Sequence, residues 1–154
     1  MVLVLSAQQL NQICVHAQQT YPNECCGLML GRGVFKGEHR ELVSLWPTRN
    51  AWENSADNPL DDGASPTERF LIDASEILMA QRHARTNGLE IVGVYHSHPD
   101  HPAVPSEFDR EYAWPRCSYV IVSVQTGQAR EIYSWTLSDQ QTFVPEAILQ
   151  TQPL

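Results

Sequence analysis

His96 and His98 are separated by one residue and followed at once by a proline, within the stretch YHSHPDHPAVPSEFDR at residues 95–110. In an extended strand residues i and i+2 face the same side. Two imidazoles at this spacing can therefore turn toward one ion, about 2.0–2.1 Å from each if it is zinc. Pro99 would end the strand and fix the loop that follows. The pair alone carries little weight, because six histidines in 154 residues give roughly 0.2 His-x-His pairs by chance. A third ligand and a base are needed. Asp109 lies in a segment that Ser106 can open as a helix N-cap, so the loop can fold back and offer its carboxylate to the same ion. Two neutral imidazoles and one carboxylate leave one position open, the catalytic pattern for zinc, in which a water's pKa falls toward about 7. Glu24, set among Cys25, Cys26, Leu28 and Leu30, can accept that water's proton and pass it to a leaving amine, and partial burial would raise its pKa usefully. The Ser106 hydroxyl can donate to a developing oxyanion. Ser97 points to the opposite face by strand alternation and is expected to support the sheet.

Rival assignments draw on the same stretch. His98-x-Asp100, with His101 beside it, could open a two-histidine, one-carboxylate iron site. Such sites usually need an all-β barrel and a distant histidine, whereas His16, His39 and His83 fall on or near expected helices or loops. A zinc deaminase would need His-x-Glu and Pro-Cys-x-x-Cys, and neither occurs.

The elements that must position these residues can be read from periodicity. Ser6 and Gln9 form a capping-box pattern, and Leu10, Ile13, Cys14 and Ala17 recur at helical spacing, so a helix is expected over 6–19, ended by Tyr21-Pro22-Asn23. Residues 26–31 (CGLMLG) and 41–46 (ELVSLW) read as strands, which puts Glu24 at the mouth of the first. Residues 47–67 are polar and irregular, longer than a structureless loop usually runs in a compact domain, and loops of this kind often touch substrates. Residues 69–72 read as a strand, followed by a helix that Asp73 or Ser75 caps and Asn87-Gly88 stops. Strands are expected at 90–96, 118–124 and 129–137, the last two joined by a hairpin turn at 125–128. The fold class is mixed α/β, with one central mixed sheet flanked by helices. The tail after Ser138 is either a final edge segment or a docking strand.

Bulk properties narrow the classes of function. A chain of 154 residues suits one domain, and a domain of that size needs no structural metal to hold its core. The net charge of −8, with Lys36 the single lysine, leaves no basic face for nucleic acid or anionic membrane. No stretch approaches the roughly 18 apolar residues of a membrane span, and no basic leader is present, so a soluble cytoplasmic protein is expected. Cys14, Cys25, Cys26 and Cys117 show no Cys-x-x-Cys spacing and read as small buried residues.

The pattern resembles the JAMM metallopeptidases of the MPN fold, in their small single-domain prokaryotic form. PNECCGLMLG at 22–31 resembles the family's glutamate-bearing first strand, and His96-Ser97-His98-Pro99 with Ser106 and Asp109 resembles its metal signature. Asn50, Arg69-Phe70 and EIVGVYHSHP also occupy expected places, so the resemblance covers about residues 3–137, leaving 138–154 as a tail. It implies a cytidine-deaminase-like layout and one zinc ion held by His96, His98 and Asp109. It further implies Glu24 as general acid/base and Ser106 as stabiliser of the tetrahedral intermediate. The implied substrate is a peptide or isopeptide bond after the diglycine tail of a ubiquitin-like or sulfur-carrier protein, gripped in a groove beside a sheet edge under the 47–67 loop. A non-catalytic MPN scaffold that binds such a partner is the alternative.

Overall fold

The computed structural model describes residues 1–33, 38–53 and 58–151. Lys36 and part of the expected 47–67 loop lie outside the described residues. The elements run β1 (Val2–Ser6), α1 (Ala7–Thr20), β2 (Cys26–Arg32), β3 (His39–Thr48), α2 (Ala74–Thr86), β4 (Glu90–Pro99), α3 (Glu107–Glu111), β5 (Ser118–Gln125), β6 (Gln128–Leu137) and β7 (Phe143–Thr151).

All the strands join one mixed sheet in the order β1-β3-β2-β4-β5-β6-β7. The sheet with helices on its faces is as expected, but it curls until β7 pairs in parallel with β1 and closes. Two strands outside the expected set make this possible. Periodicity assigns no strand to residues 2–6, yet they alternate with Leu3 and Leu5 buried and form β1. The tail supplies β7, which pairs with β6 through residues 143–146 and with β1 through residues 147–151, so it is an internal strand and not an edge. Residues 69–72 are not a strand. Their backbone is satisfied instead by Ala51, whose N–H donates to the Leu71 carbonyl at 2.9 Å, and by the Asn50 side chain.

Helix α1 begins where the sequence places it. Ser6 Oγ accepts from Gln9 N–H at 3.1 Å, and Gln9 Oε1 accepts from Ser6 N–H at 2.8 Å, the reciprocal capping box. Asp73 is the N-cap residue of α2, although its side chain makes no capping bond. Glu76 in the first turn, with His83 and Arg85 in the last, suits the helix dipole.

The two helices cover two apolar layers. Ile13 and Ala17 of α1 pack with Leu3, Leu5, Val92, Tyr95, Val120 and Val122, while Ala80 and Ala84 of α2 pack with Leu28, Leu30, Val94 and Tyr119. Each large side chain so buried is worth about 1.5–3 kcal/mol. Alternation along β4 is reset by a bulge, where the pairing with β2 shifts between Met29 and Leu30. After it, Val94 faces α2 and Tyr95 faces α1, where its hydroxyl meets His16 Nδ1 at 2.7 Å. The α2 face therefore receives His96. The four cysteines are free, and burial pushes the Cys25 and Cys26 thiols up to about 12, so they are inert side chains of the core. Among the described residues no helix is long and apolar enough to cross a membrane.

Candidate active site

Antiparallel pairing sets Cys26 opposite His96, so the start of β2 and the end of β4 lie side by side. Two residues before Cys26, Glu24 comes level with His98. Glu24, His96 and His98 are all buried, and a ligand atom of each lies within 4.8 Å of the other two. The loop beyond Pro99 then returns through α3, whose N-cap is Ser106. Ser106 Oγ accepts from Asp109 N–H at 3.0 Å, and Asp109 Oδ2 accepts from Ser106 N–H at 2.9 Å. This capping box aims the same Oδ2 at both imidazoles. His96 Nε2 and His98 Nε2 are 3.1 Å apart, and each lies 3.2 Å from Asp109 Oδ2.

With both imidazoles neutral, protons cannot satisfy this triangle. His98 Nδ1 lies 2.8 Å from the Pro102 carbonyl, which only accepts, so the ring proton is on Nδ1 and Nε2 of the neutral ring is a bare lone pair. It faces a carboxylate oxygen and a second imidazole nitrogen. The His96 ring can supply one proton and direct it at one neighbour. At least two lone pairs then confront each other at 3.1–3.2 Å, an arrangement that a cation at the centre relieves. Bonds of about 2.0–2.1 Å in a tetrahedron set ligand atoms about 3.3–3.4 Å apart, close to the observed edges. The donor set fits a divalent metal such as zinc, with nitrogen and carboxylate oxygen ligands and no thiolate.

Electrostatics agree. Burial alone would raise the Asp109 carboxyl, but the two imidazoles outweigh it and hold the group well below the usual carboxylate range. Burial lowers the pKa of His96 and so favours its neutral ring, against the pull of Asp109. Glu24 is shifted the other way. Burial first, then the Asp109 charge, push its carboxyl well above the ordinary range, with Arg69 opposing.

Supporting contacts explain why these side chains hold still. Phe70 stacks on the His96 ring with centroids 4.6 Å apart. Glu24 N–H donates to the Pro66 carbonyl at 2.8 Å, and Asn50 Nδ2 donates to the Glu24 carbonyl at 3.1 Å. The same Asn50 nitrogen reaches the Arg69 carbonyl at 2.9 Å, while its Oδ1 accepts from Trp52 and Leu71 N–H. Ser97 faces away as expected, its Oγ accepting from Cys25 N–H at 2.8 Å. Asp100 is exposed and bonded to Tyr21 and Thr126, not to the triangle. Periodicity had no means of showing the Asn50 hub, the Phe70 stack or the Pro102 carbonyl, because each acts across a loop.

Residues 6–138 match the family model of prokaryotic homologs of the JAB domain. The chain belongs to that family. This JAB-domain protein is 30% identical to the desampylase of Haloferax volcanii over 126 residues, covering 79% of this chain and 80% of the relative. It is also 30% identical to the CysO-cysteine peptidase of Mycobacterium tuberculosis over 140 residues, covering 90% and 84%. A solution structure of a protein from Desulfitobacterium hafniense superposes with a TM-score of 0.77 at 32% identity, covering 99% of this chain and 94% of the other.

Beside the triangle the JAB-domain protein carries a cavity of about 250 Å³, lined by Phe70, Ile72, Ile77, Val94, Tyr112 and Trp114 among others. His96 and Asp109 form part of its wall, whereas Glu24 and His98 do not. The apolar cavity therefore meets the triangle at His96 and Asp109.

Proposed function

We propose that this protein is a zinc-dependent hydrolase that cleaves a peptide or isopeptide bond after the diglycine tail of a ubiquitin-like or sulfur-carrier protein. The observation that carries the reading is the buried His96–His98–Asp109 triangle with the Glu24 carboxyl at its side. The names of the relatives, a desampylase and a CysO-cysteine peptidase, support the substrate class. His96, His98 and Asp109 would hold one zinc ion, which when bound polarises a carbonyl and lowers the pKa of a water.

The chain's own residues supply the rest. Glu24 has a pKa raised by burial, so it is a strong enough base to take a proton from water and a strong enough acid to return it to the leaving amine. Ser106 Oγ is already an acceptor for Asp109 N–H, which leaves its hydroxyl proton free to donate to an oxyanion. The leaving nitrogen must come to the Glu24 side to be protonated. The acyl half then runs the other way, past His96 and Asp109 toward the apolar cavity, where residues upstream of the diglycine would lie. At His96 β4 is paired on one side with β2 and on the other with β5, so it offers no free edge there. We assign the facing wall to residues 58–72, tied to Glu24 through Asn50.

The test is zinc stoichiometry by native mass spectrometry of wild type and Asp109→Ala, with cleavage of a diglycine-tailed carrier protein extended past its tail. One zinc and cleavage in the wild type, both lost in the variant, is the expected result. Equal zinc content in the two proteins would refute the ligand set, and zinc without cleavage would refute the substrate class.

A further inference from the structure

The turn after His98 is held by bonds that the hydrolytic reading leaves unexplained. Asp100 has left-handed backbone, φ 57°, a conformation that glycine, asparagine and aspartate accept and alanine resists. Its N–H donates to the Val124 carbonyl at 2.7 Å. Its Oδ1 accepts from Thr126 N–H at 2.9 Å, and its Oδ2 accepts from the Tyr21 hydroxyl at 2.6 Å. One side chain thus ties the end of β4 to the β5–β6 turn and to the end of α1. Further along, Ser123 Oγ donates to the His101 carbonyl at 2.6 Å, and Trp135 Nε1 donates to the Ala103 carbonyl at 3.0 Å. Between those two anchored carbonyls stands Pro102, whose own carbonyl receives His98 Nδ1 at 2.8 Å.

That last bond decides the chemistry of His98. An acceptor at Nδ1 fixes the proton there and leaves the Nε2 lone pair pointing at His96 and Asp109, the form in which imidazole binds a metal. If the turn relaxes, the carbonyl moves off the ring, and the ring is free to place its proton on Nε2. We propose that Asp100 and Tyr21 are positioning residues for this centre: by clamping the turn they hold the Pro102 carbonyl, and through it the tautomer and aim of His98. The proposal rests on the reading of His98 as a ligand. Asp100 itself touches none of the three ligand atoms.

The test separates the side-chain clamp from the backbone conformation and from direct ligation. Asp100→Gly keeps the left-handed backbone accessible but removes both side-chain bonds; Asp100→Asn keeps the backbone and an acceptor for Thr126. Two readouts on folded protein are needed: zinc affinity by competition with a chromophoric chelator, and the 15N shifts of both His98 ring nitrogens in zinc-free protein. Expected is a fall of about tenfold in zinc affinity for Asp100→Gly, about threefold for Tyr21→Phe, and less than about twofold for Asp100→Asn. The zinc-free Asp100→Gly protein should show a mixture of tautomers where the wild type shows the Nδ1–H form. Wild-type affinity and a single tautomer in Asp100→Gly would overturn the proposal. A loss in Asp100→Asn equal to that in Asp100→Gly would overturn it too, by making the charge itself the requirement. Because the tautomer is read without zinc, that result stands or falls separately from the ligand reading, which fails if His98→Ala keeps wild-type zinc affinity.

Discussion

What would suit Glu24 to the proposed proton transfer is also what it costs the fold. Its carboxyl is buried, and burial followed by the Asp109 charge raises its pKa well above the ordinary 4.5. A carboxyl with a raised folded pKa holds its proton more tightly folded than unfolded. Its contribution to stability is therefore complete in acid and is lost as pH climbs from about 4.5 through the raised value. Replacing it by the neutral isostere removes that loss. Zinc-free Glu24→Gln is expected to melt higher than wild type at about pH 8, by about 2–4 °C for each kcal/mol recovered, with the gap closing toward about pH 4. Calorimetry at the two pH values checks this, and equal melting at both would mean that the carboxyl is solvated. The same variant should keep its zinc yet lose at least about a hundredfold in turnover. The proposed ligands titrate differently. Burial lowers the pKa of His96 and the imidazoles hold Asp109 down, so both stay in ligand form through the neutral range. Zinc content followed by native mass spectrometry should be flat near neutrality and fall only below about pH 6, as protons compete for the imidazoles.

At the scale of elements, one side chain gathers much of the bonding between residues 50–53, residues 58–72 and the site. Asn50 bonds the Glu24, Pro66 and Arg69 carbonyls and accepts from Trp52 and Leu71. Asn50→Ala would take a partner from the Glu24 and Arg69 carbonyls and from the Trp52 and Leu71 N–H groups and loosen the segment, while His96, His98 and Asp109, on β4 and α3, stay in place. Expected is a turnover loss of about tenfold with zinc retained, and new proteolytic nicking within residues 58–68. Nicking with unchanged turnover would show that Glu24 does not depend on this anchor. The example also marks what sequence could and could not disclose. His96 and His98 were legible because a period of two puts them on one face, and the α1 cap because Ser6 and Gln9 carry the whole motif. Asp109 was legible as a helix start, and the structure joins that role to its place beside the histidines. The five-residue β1 was hidden by the helix it leads into, and residues 69–72 have strand composition but spend their hydrogen bonds on a loop. Closure of the sheet depends on pairing between its two ends, about 145 residues apart along the chain, and local pattern carries no record of that.

For the whole molecule, closure is secured by charge inside the sheet. Arg40 on β3 donates to Glu146 on β7 at 2.7 Å, and both side chains are almost fully buried. Ser118 of β5 and Ser134 of β6 donate to the other Glu146 oxygen at 2.5 and 2.8 Å. Four strands thus meet on one carboxylate, and β7 cannot leave without stripping all of them. The network is far from the candidate site along the sheet. Ser118 pairs with Gly93, whereas His98 pairs with Ser123, five residues and about 17 Å further on. Glu146→Ala would leave the Arg40 charge buried with no counter-ion, and its Nε already has no partner among the described residues. Such a loss costs about 3–5 kcal/mol, so a drop in Tm of about 6–20 °C is expected. A buried ion pair seldom exceeds well-packed apolar side chains in stability, so Arg40→Met combined with Glu146→Leu should recover most of the loss. Zinc affinity in the double variant should match wild type, because neither residue reaches β4's metal end. If the double variant melts as low as Glu146→Ala, the ion pair is needed to register β7, and closure is a matter of specificity in strand pairing more than of buried charge.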